Sequence, residues 1–297
     1  MAEIPAGYLH FTGRTSLGFR ADVKRAVSKV HPKIISGLAR KGFVLAGGPT
    51  VFEAIRDLPD GRGRVVRDSP NFRYLQGGSN GDKKFSVVGE TFVHPEFKTN
   101  SVLSGQDVLT TTTHEIGHNI SQMHGRMSAD PLFQALMRRD AKKPPTSMKH
   151  GILREQVIDR PLHGEPGEEL FADLFSEAHG GQPSMFGKYS DIRPGPRQYI
   201  DRVKRNLEAG RDPRHGMAEW AKSLGYKGPL VQGGPRLGGK PQAAASGRSL
   251  MDMVLGINKS PAAPPTRATV SAEKVGNWTG ARRDGTRPRR PTAGIKA

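Results

Sequence analysis

The sequence contains no cysteine in 297 residues. Disulfide bonds and thiolate metal ligands are therefore excluded, and any metal site must use histidine and carboxylate side chains. The segment after Met1 lacks a basic stretch followed by a long apolar run, so we expect no secretory signal. No other segment is apolar enough to predict a transmembrane helix. We therefore expect a protein that stays where it is made or is exported or delivered by a dedicated system.

Acidic residues are scarce relative to basic ones. The chain has 28 Asp and Glu against 46 Lys and Arg, which gives a net charge of +18. The excess is uneven, because residues 227–297 contain 13 Lys and Arg but only 3 Asp and Glu. Gly, Pro, Ala and Ser also dominate this stretch, and only residues 250–255 could form a short helix. This composition predicts a folded domain over 1–226 and a basic, mostly disordered tail over 227–297.

Hydrophobic periodicity predicts a mixed α+β fold for the first 226 residues. We expect a helical segment from residue 17 to 40, interrupted near His31 and Pro32 because proline cannot donate a hydrogen bond inside a helix. Residues 139–167 are polar and aperiodic, which predicts an irregular insertion such as a lid. The other expected helices cover 51–58, 132–139, 168–178, 196–207 and 217–224, and the expected strands 43–46, 84–88 and 90–94.

One motif dominates the sequence: His114-Glu115-Ile116-Gly117-His118. On a helix, residues four apart lie one above the other, so both imidazoles can reach one ion. Glu115 is close enough to take a proton from water held by that ion. A strand that precedes such a helix commonly lies at the rim of a cleft, where an extended peptide can pair with it. We expect Asp107 to be the N-cap of this helix.

An apolar stripe on the same helix allows a simpler interpretation. Leu109, Ile116, Ile120 and Met123 recur at helical spacing, and the two histidines of the motif fall roughly 160° away from them. The histidines could therefore merely face solvent. That alternative does not explain why a glutamate occupies the position of a general base.

The motif also resembles part of a known family. Together with the later helix Glu169-Leu170-Phe171-Ala172-Asp173, it is similar to gluzincin metallopeptidases, in particular the anthrax lethal factor-like catalytic domains. The resemblance implies a zincin-like fold, in which a small mixed sheet lies beside the active-site helix and C-terminal helices. It further implies Zn²⁺ bound by His114, His118 and Glu169, with Asp173 orienting a ligand histidine.

A second candidate for the third ligand stays open. His118 and His124 have the spacing of the metzincin extension His-x-x-Gly-x-x-His. That extension turns sharply at its glycine, through a backbone conformation that glycine tolerates best. This chain has Ser121 at that position, which favours Glu169 over His124.

The resemblance implies hydrolysis of a protein or peptide substrate by a zinc endopeptidase, with Glu115 as the general base, in a toxin or effector. Members of the family use a Tyr or His near the third ligand to stabilise the oxyanion, and the candidates here are His163, Tyr189 and Tyr199. Tyr199 lies in an apolar helical pattern, which favours core packing.

The basic tail supports an alternative function. The protein could be a nucleic-acid-associated or virion-packaged protein whose metallopeptidase fold is secondary or inactive. Arg282, Arg283 and the 287–290 segment could contact phosphates of a polyanion. A basic, Pro-rich terminus is, however, more often a solvated extension.

Overall fold

The computed structural model describes residues 3–63, 70–93, 98–142, 166–182 and 188–230. These residues form a mixed α+β fold, as predicted from the sequence, and all lie in one compact unit. The predicted insertion falls almost entirely on residues 143–165, outside the described residues. The predicted tail beyond residue 230, with its helix at 250–255, lies outside them as well.

The elements predicted between residues 17 and 224 are present, with small shifts at their ends. Helix α7 and strands β1, β3 and β6 were not predicted. In chain order the described elements are β1 (Leu9–Phe11), α1 (Leu17–Lys29), α2 (Pro32–Arg40), β2 (Val44–Gly48), α3 (Val51–Arg56), β3 (Gly77–Asn80), β4 (Phe85–Gly89), β5 (Thr91–Val93), β6 (Asn100–Val102), α4 (Gly105–Met123), α5 (Pro131–Ala141), α6 (Pro166–Ala178), α7 (Tyr189–Ile192), α8 (Pro194–Glu208) and α9 (Met217–Ser223).

The start of α4 differs from the sequence prediction. The N-cap is Ser104, whose hydroxyl accepts a hydrogen bond from the backbone N–H of Asp107. The Asp107 carboxylate in turn accepts one from the backbone N–H of Ser104 at 3.1 Å. This reciprocal pair is a capping box. The prediction of Asp107 as N-cap was therefore wrong by three residues, because the carboxylate belongs to the first turn.

The four-stranded sheet has the order β1-β2-β4-β3. Strands β1, β2 and β4 are parallel, and β3 runs antiparallel to β4 at one edge. Strands β5 and β6 form a separate antiparallel pair. The antiparallel strand β3 therefore occupies a sheet edge, and it lies beside α4.

The sheet separates two apolar cores, because alternate side chains of a strand point to opposite faces. Leu45 and Val88 join the larger core, which the helices other than α3 and α7 build around α4. Val44, Ala46 and Val87 join the smaller core beneath α3. None of the described helices combines the length and the apolar character that crossing a membrane requires.

The buried surface of helix α4 includes its apolar stripe and also part of the side that carries the histidines. Ile116 and Ile120 are fully buried, as the stripe predicts, but His118 is only 6% exposed and Asn119 is fully buried. The side that carries the histidines packs against α6. The alternative in which both histidines simply face solvent is therefore wrong.

His179 gives the fold a pH dependence, since burial lowers its pKa to about 4. Its Nδ1 donates a hydrogen bond to the carbonyl of Phe175, and the two rings are 4.3 Å apart. In the unfolded chain the pKa is about 6.5. Between these two values the unfolded state binds more protons than the folded state, so stability rises with pH.

We predict that the free energy of unfolding falls as the pH drops from about 6.5 towards 4, by up to about 3 kcal/mol from His179. Urea titrations at several pH values measure this, and His179→Gln should show a shallower loss. The pKa of His124 is also lowered to about 4 by burial, so the difference between parent and variant isolates His179. Parallel profiles for the two proteins would contradict the prediction.

Candidate metal centre

Helix α6 passes unusually close to α4 at Gly117, between the two histidines of the motif. A Cβ atom at Gly117 would lie 2.9 Å from the Cα of Ala172 and 3.1 Å from the Cβ of Phe175. Only a residue without a side chain permits this separation of the two helices. The hydroxyls of Thr113 and Ser176, 2.7 Å apart, join the same two helices one turn away. This contact brings the acidic face of α6 to the histidines of α4.

The predicted ligands His114, His118 and Glu169 come together at this contact. Their ligand atoms all lie within 4.8 Å of one another. The two Nε2 atoms are 3.0 Å apart, and the Glu169 carboxylate lies 3.3 Å from one and 3.6 Å from the other. Tetrahedral zinc with bonds of about 2.0–2.1 Å separates its ligands by about 3.3 Å. The three side chains therefore fit the dimensions of a single metal ion.

The opposite nitrogens of both imidazoles face carboxylates of α6. His114 Nδ1 donates to Asp173 at 2.8 Å, where the sequence resemblance placed an orienting carboxylate. His118 Nδ1 lies 3.6 Å from Glu168, which also accepts a hydrogen bond from Gln122 at 3.1 Å. A proton kept on Nδ1 leaves the lone pair of Nε2 directed towards a metal ion.

Sequence reasoning missed Glu168. The signal was present, because Glu168 directly precedes Glu169 in the first turn of α6 and Gln122 lies four residues after His118 on α4. Neither residue belongs to the motif that carries the resemblance. Only the packing of the two helices shows that they meet beside His118.

The electrostatic balance of the site favours a cation. Helix α6 has four acidic residues and no basic one. Burial opposes the positive charge of His114, but the carboxylates of Asp173 and Glu169 outweigh it and raise its pKa well above the usual value. Burial also opposes ionisation of Glu168, whereas His118 and Gln122 lower its pKa below the usual value. Such a surplus of negative charge suits a bound metal ion.

Glu115 lies on the side of α4 that faces β3. Burial raises its pKa to about 6, while the neighbouring histidines and a hydrogen bond with Ser79 oppose that rise. Its Oε2 atom is buried without a hydrogen-bond partner among the described residues. A Cβ atom at Gly77 would lie 2.7 Å from Oε1, so this glycine makes the room that the carboxylate occupies. Burial therefore moves the ionisation of Glu115 closer to neutral pH than that of an exposed glutamate.

The β3 edge presents backbone groups next to Glu115. Gln76 pairs with Gly89 through a hydrogen bond at 2.9 Å, so the alternation of an antiparallel ladder turns the N–H and C=O groups of Gly77 and Ser79 away from β4. An extended peptide could pair with these groups. This strand was not predicted, because Gly-Gly-Ser-Asn has low β-propensity.

The three residues predicted as candidates for oxyanion stabilisation lie in different environments or outside the described residues. Tyr199 is fully buried, with its ring 5.3 Å from that of Phe133, as core packing predicts. His163 lies outside the described residues. Tyr189 lies beside the candidate metal centre. Burial raises its pKa, as do Asp173 and a hydrogen bond with that carboxylate. The Glu177 carboxylate accepts the backbone N–H of Tyr189 at 2.6 Å and so fixes the start of α7.

His124 has a different environment from the other two histidines. It is the C-cap of α4, and its carbonyl accepts a hydrogen bond from Arg214 at 2.8 Å. The metal-sized group found in the described residues does not include it. Ser121 does not turn the chain, because α4 continues to Met123, and its hydroxyl instead accepts the backbone N–H of Ser128. The geometry therefore favours Glu169 as third ligand.

We predict that Gly117→Ala destabilises the protein by about 1–3 kcal/mol, because the added methyl group would clash with α6. The matched control is Gly37→Ala in α2, where the nearest atom to a new Cβ is Met123 Cε at 4.0 Å. That change should stabilise the protein by roughly 0.5–1 kcal/mol. Urea unfolding of both variants measures the difference. Equal stability of the two would show that the helices do not need the close contact.

Comparison with models of known protein families finds no match for this chain. No curated protein matches it either. The proposal of a function therefore rests on the geometry of the site.

Proposed function

We propose that the protein is a zinc-dependent endopeptidase with a zincin-like fold. The observation that carries this proposal is the convergence of His114, His118 and Glu169, with Glu115 buried beside them. Two imidazoles and one carboxylate are a common ligand set of catalytic zinc, which keeps a fourth position for water or substrate. Asp173 and Glu168 would hold the two imidazoles in the orientation that directs Nε2 towards the metal ion.

The chemistry divides between the metal ion and Glu115. Zinc in such a site supplies Lewis acidity, which acidifies a water molecule and polarises a carbonyl group. Glu115 takes the proton of the attacking water and later gives it to the leaving amine. Its burial, which raises the pKa above the usual value, suits both steps, because a group that titrates nearer the working pH can accept and return a proton. Tyr189, held near Asp173, is the described candidate for stabilising the oxyanion.

The substrate class follows from the sheet edge. A peptide that pairs with the outward backbone groups of Gly77 and Ser79 would run directly past Glu115. Pairing through the main chain accepts an extended segment of a protein substrate irrespective of most of its side chains. This supports an endopeptidase over an enzyme of small molecules.

The resemblance to lethal factor-like gluzincins extends the proposal. A short mixed sheet beside α4, and a third ligand on a later helix with an acid four residues on, are the features that the resemblance implies. On that basis we propose a toxin or effector that cuts a protein of a target cell. Delivery would use a dedicated secretion system or a phage particle.

The metal content of the purified protein tests the ligand set. We predict about one zinc per parent chain, and a loss of affinity of more than about 100-fold in Glu169→Ala, beyond the ~10–100-fold loss typical of a group that only orients a ligand. His124→Ala is the matched control and should retain zinc. Elemental analysis after dialysis against a graded chelator measures this. Zinc retained by Glu169→Ala but lost from His124→Ala would reverse the assignment of the third ligand.

A separate variant tests the role of Glu115. We predict that Glu115→Gln keeps its zinc and loses about 10²–10⁴-fold in kcat, because the amide cannot accept the proton of water. Hydrolysis of an unfolded general protein substrate, followed by mass spectrometry of the fragments, provides the readout. Cleavage by this variant at the parent's rate would rule out the mechanism.

A further inference from the structure

The first two helices carry a concentrated positive charge that the proposed peptidase does not use. Residues 14–41 contain eight Lys and Arg but only one acidic residue. Seven of these cations are exposed. The six that lie on α1, on α2 or directly after α2 make up what we call the basic helical face. Its members are Lys24, Arg25, Lys29, Lys33, Arg40 and Lys41.

The charge of this face is not neutralised within the described residues. Asp22 pairs with Arg25 at 2.9 Å. The other five cations have no carboxylate within ion-pair distance in the described part of the chain. The contrast with α6, which has four acidic residues and no basic one, shows that charge is segregated between two regions of the fold.

The face continues onto the turn between α8 and α9. A Cβ atom at Gly210 would lie 3.8 Å from Lys33 Nζ, and the next residue, Arg211, is also exposed. At the other end of α2, Lys41 lies near enough to His124 to contribute to lowering its pKa, after burial and together with Arg214. Exposed cations therefore lie at both ends of α2, with the Asp212 carboxylate near its C-terminal end.

The inner sides of both helices are committed to the core. Val23 and Val27 of α1, and Ile35 and Leu38 of α2, are at most 2% exposed. A helix that anchors in a bilayer by insertion places its apolar side in the lipid. These helices cannot do so without leaving the core. Their cationic sides remain available for contacts with phosphate groups.

We infer that the basic helical face binds the phosphate backbone of nucleic acid without regard to sequence. Duplex DNA carries one negative charge per about 1.7 Å of its axis, so several cations of a helix can each meet a phosphate. The described part of the face offers no large exposed aromatic side chain for base stacking, which favours backbone contact over base reading. This binding is independent of the peptidase proposal and locates polyanion contact on the folded domain.

Salt-dependent binding of the full chain to a duplex of about 30 base pairs tests the inference. The test variant is Lys24→Gln, Lys29→Gln and Lys33→Gln together. Because each lost phosphate contact lowers the slope of log K against log salt by about 0.9, three lost contacts lower it by about 2.7. The matched control removes three exposed cations elsewhere in the described chain, with the substitutions Arg73→Gln, Arg138→Gln and Lys222→Gln.

The expected result is a large decrease of the slope for the test variant and a much smaller one for the control, with equal midpoints of thermal unfolding. Equal slopes for the two variants would overturn the inference and leave binding, if any, to residues outside this face. Vesicles of phosphatidylserine and phosphatidylcholine provide a second arm. A test variant that loses vesicle binding while its duplex slope stays unchanged would overturn the inference in favour of an anionic membrane.

Discussion

The close contact between α4 and α6 at Gly117 is the constraint on which the candidate site depends. The two helices come from segments separated in sequence by more than forty residues, and neither contains a complete ligand set. Their approach over a single glycine brings Glu169 within 3.6 Å of both Nε2 atoms. It also aligns Asp173 and Glu168 with the opposite nitrogens. One steric feature thus places both the candidate ligands and the carboxylates that face the opposite nitrogens of their imidazoles.

The sheet contributes the other half of the site. Strand β3 lies at an edge, and its glycine at position 77 leaves space for the buried carboxylate of Glu115. The same burial raises the pKa of that carboxylate to about 6. Backbone groups that point away from β4, a buried carboxylate and a metal-sized cluster consequently meet between one strand and two helices. This arrangement underlies both the proposed substrate class and the proposed reaction.

Much of the fold was predictable where the signal is local. Proline at position 32 ended α1, and Asp130 with Pro131 started α5, because capping and backbone geometry act over a few residues. The wrong or missing predictions concern positions where the surrounding structure determines the local conformation. Asp107 was predicted to be the N-cap, whereas it is the third residue of the helix in a capping box whose N-cap is Ser104. Strand β3 was not predicted because its residues have a low intrinsic preference for a strand. Tertiary packing outweighs such weak propensities.

The sequence by itself determined that His114 and His118 share one side of a helix beside Glu115, because helical periodicity fixes these relations locally. It also supplied Glu169 and Asp173 through a resemblance, with His124 left as a competitor. Only the tertiary structure decided which carboxylates reach the histidines, since that depends on the distance and crossing of two packed helices. The same reason explains why Glu168 emerged from the structure alone: its partner His118 is fifty residues away in the chain and 3.6 Å away in space.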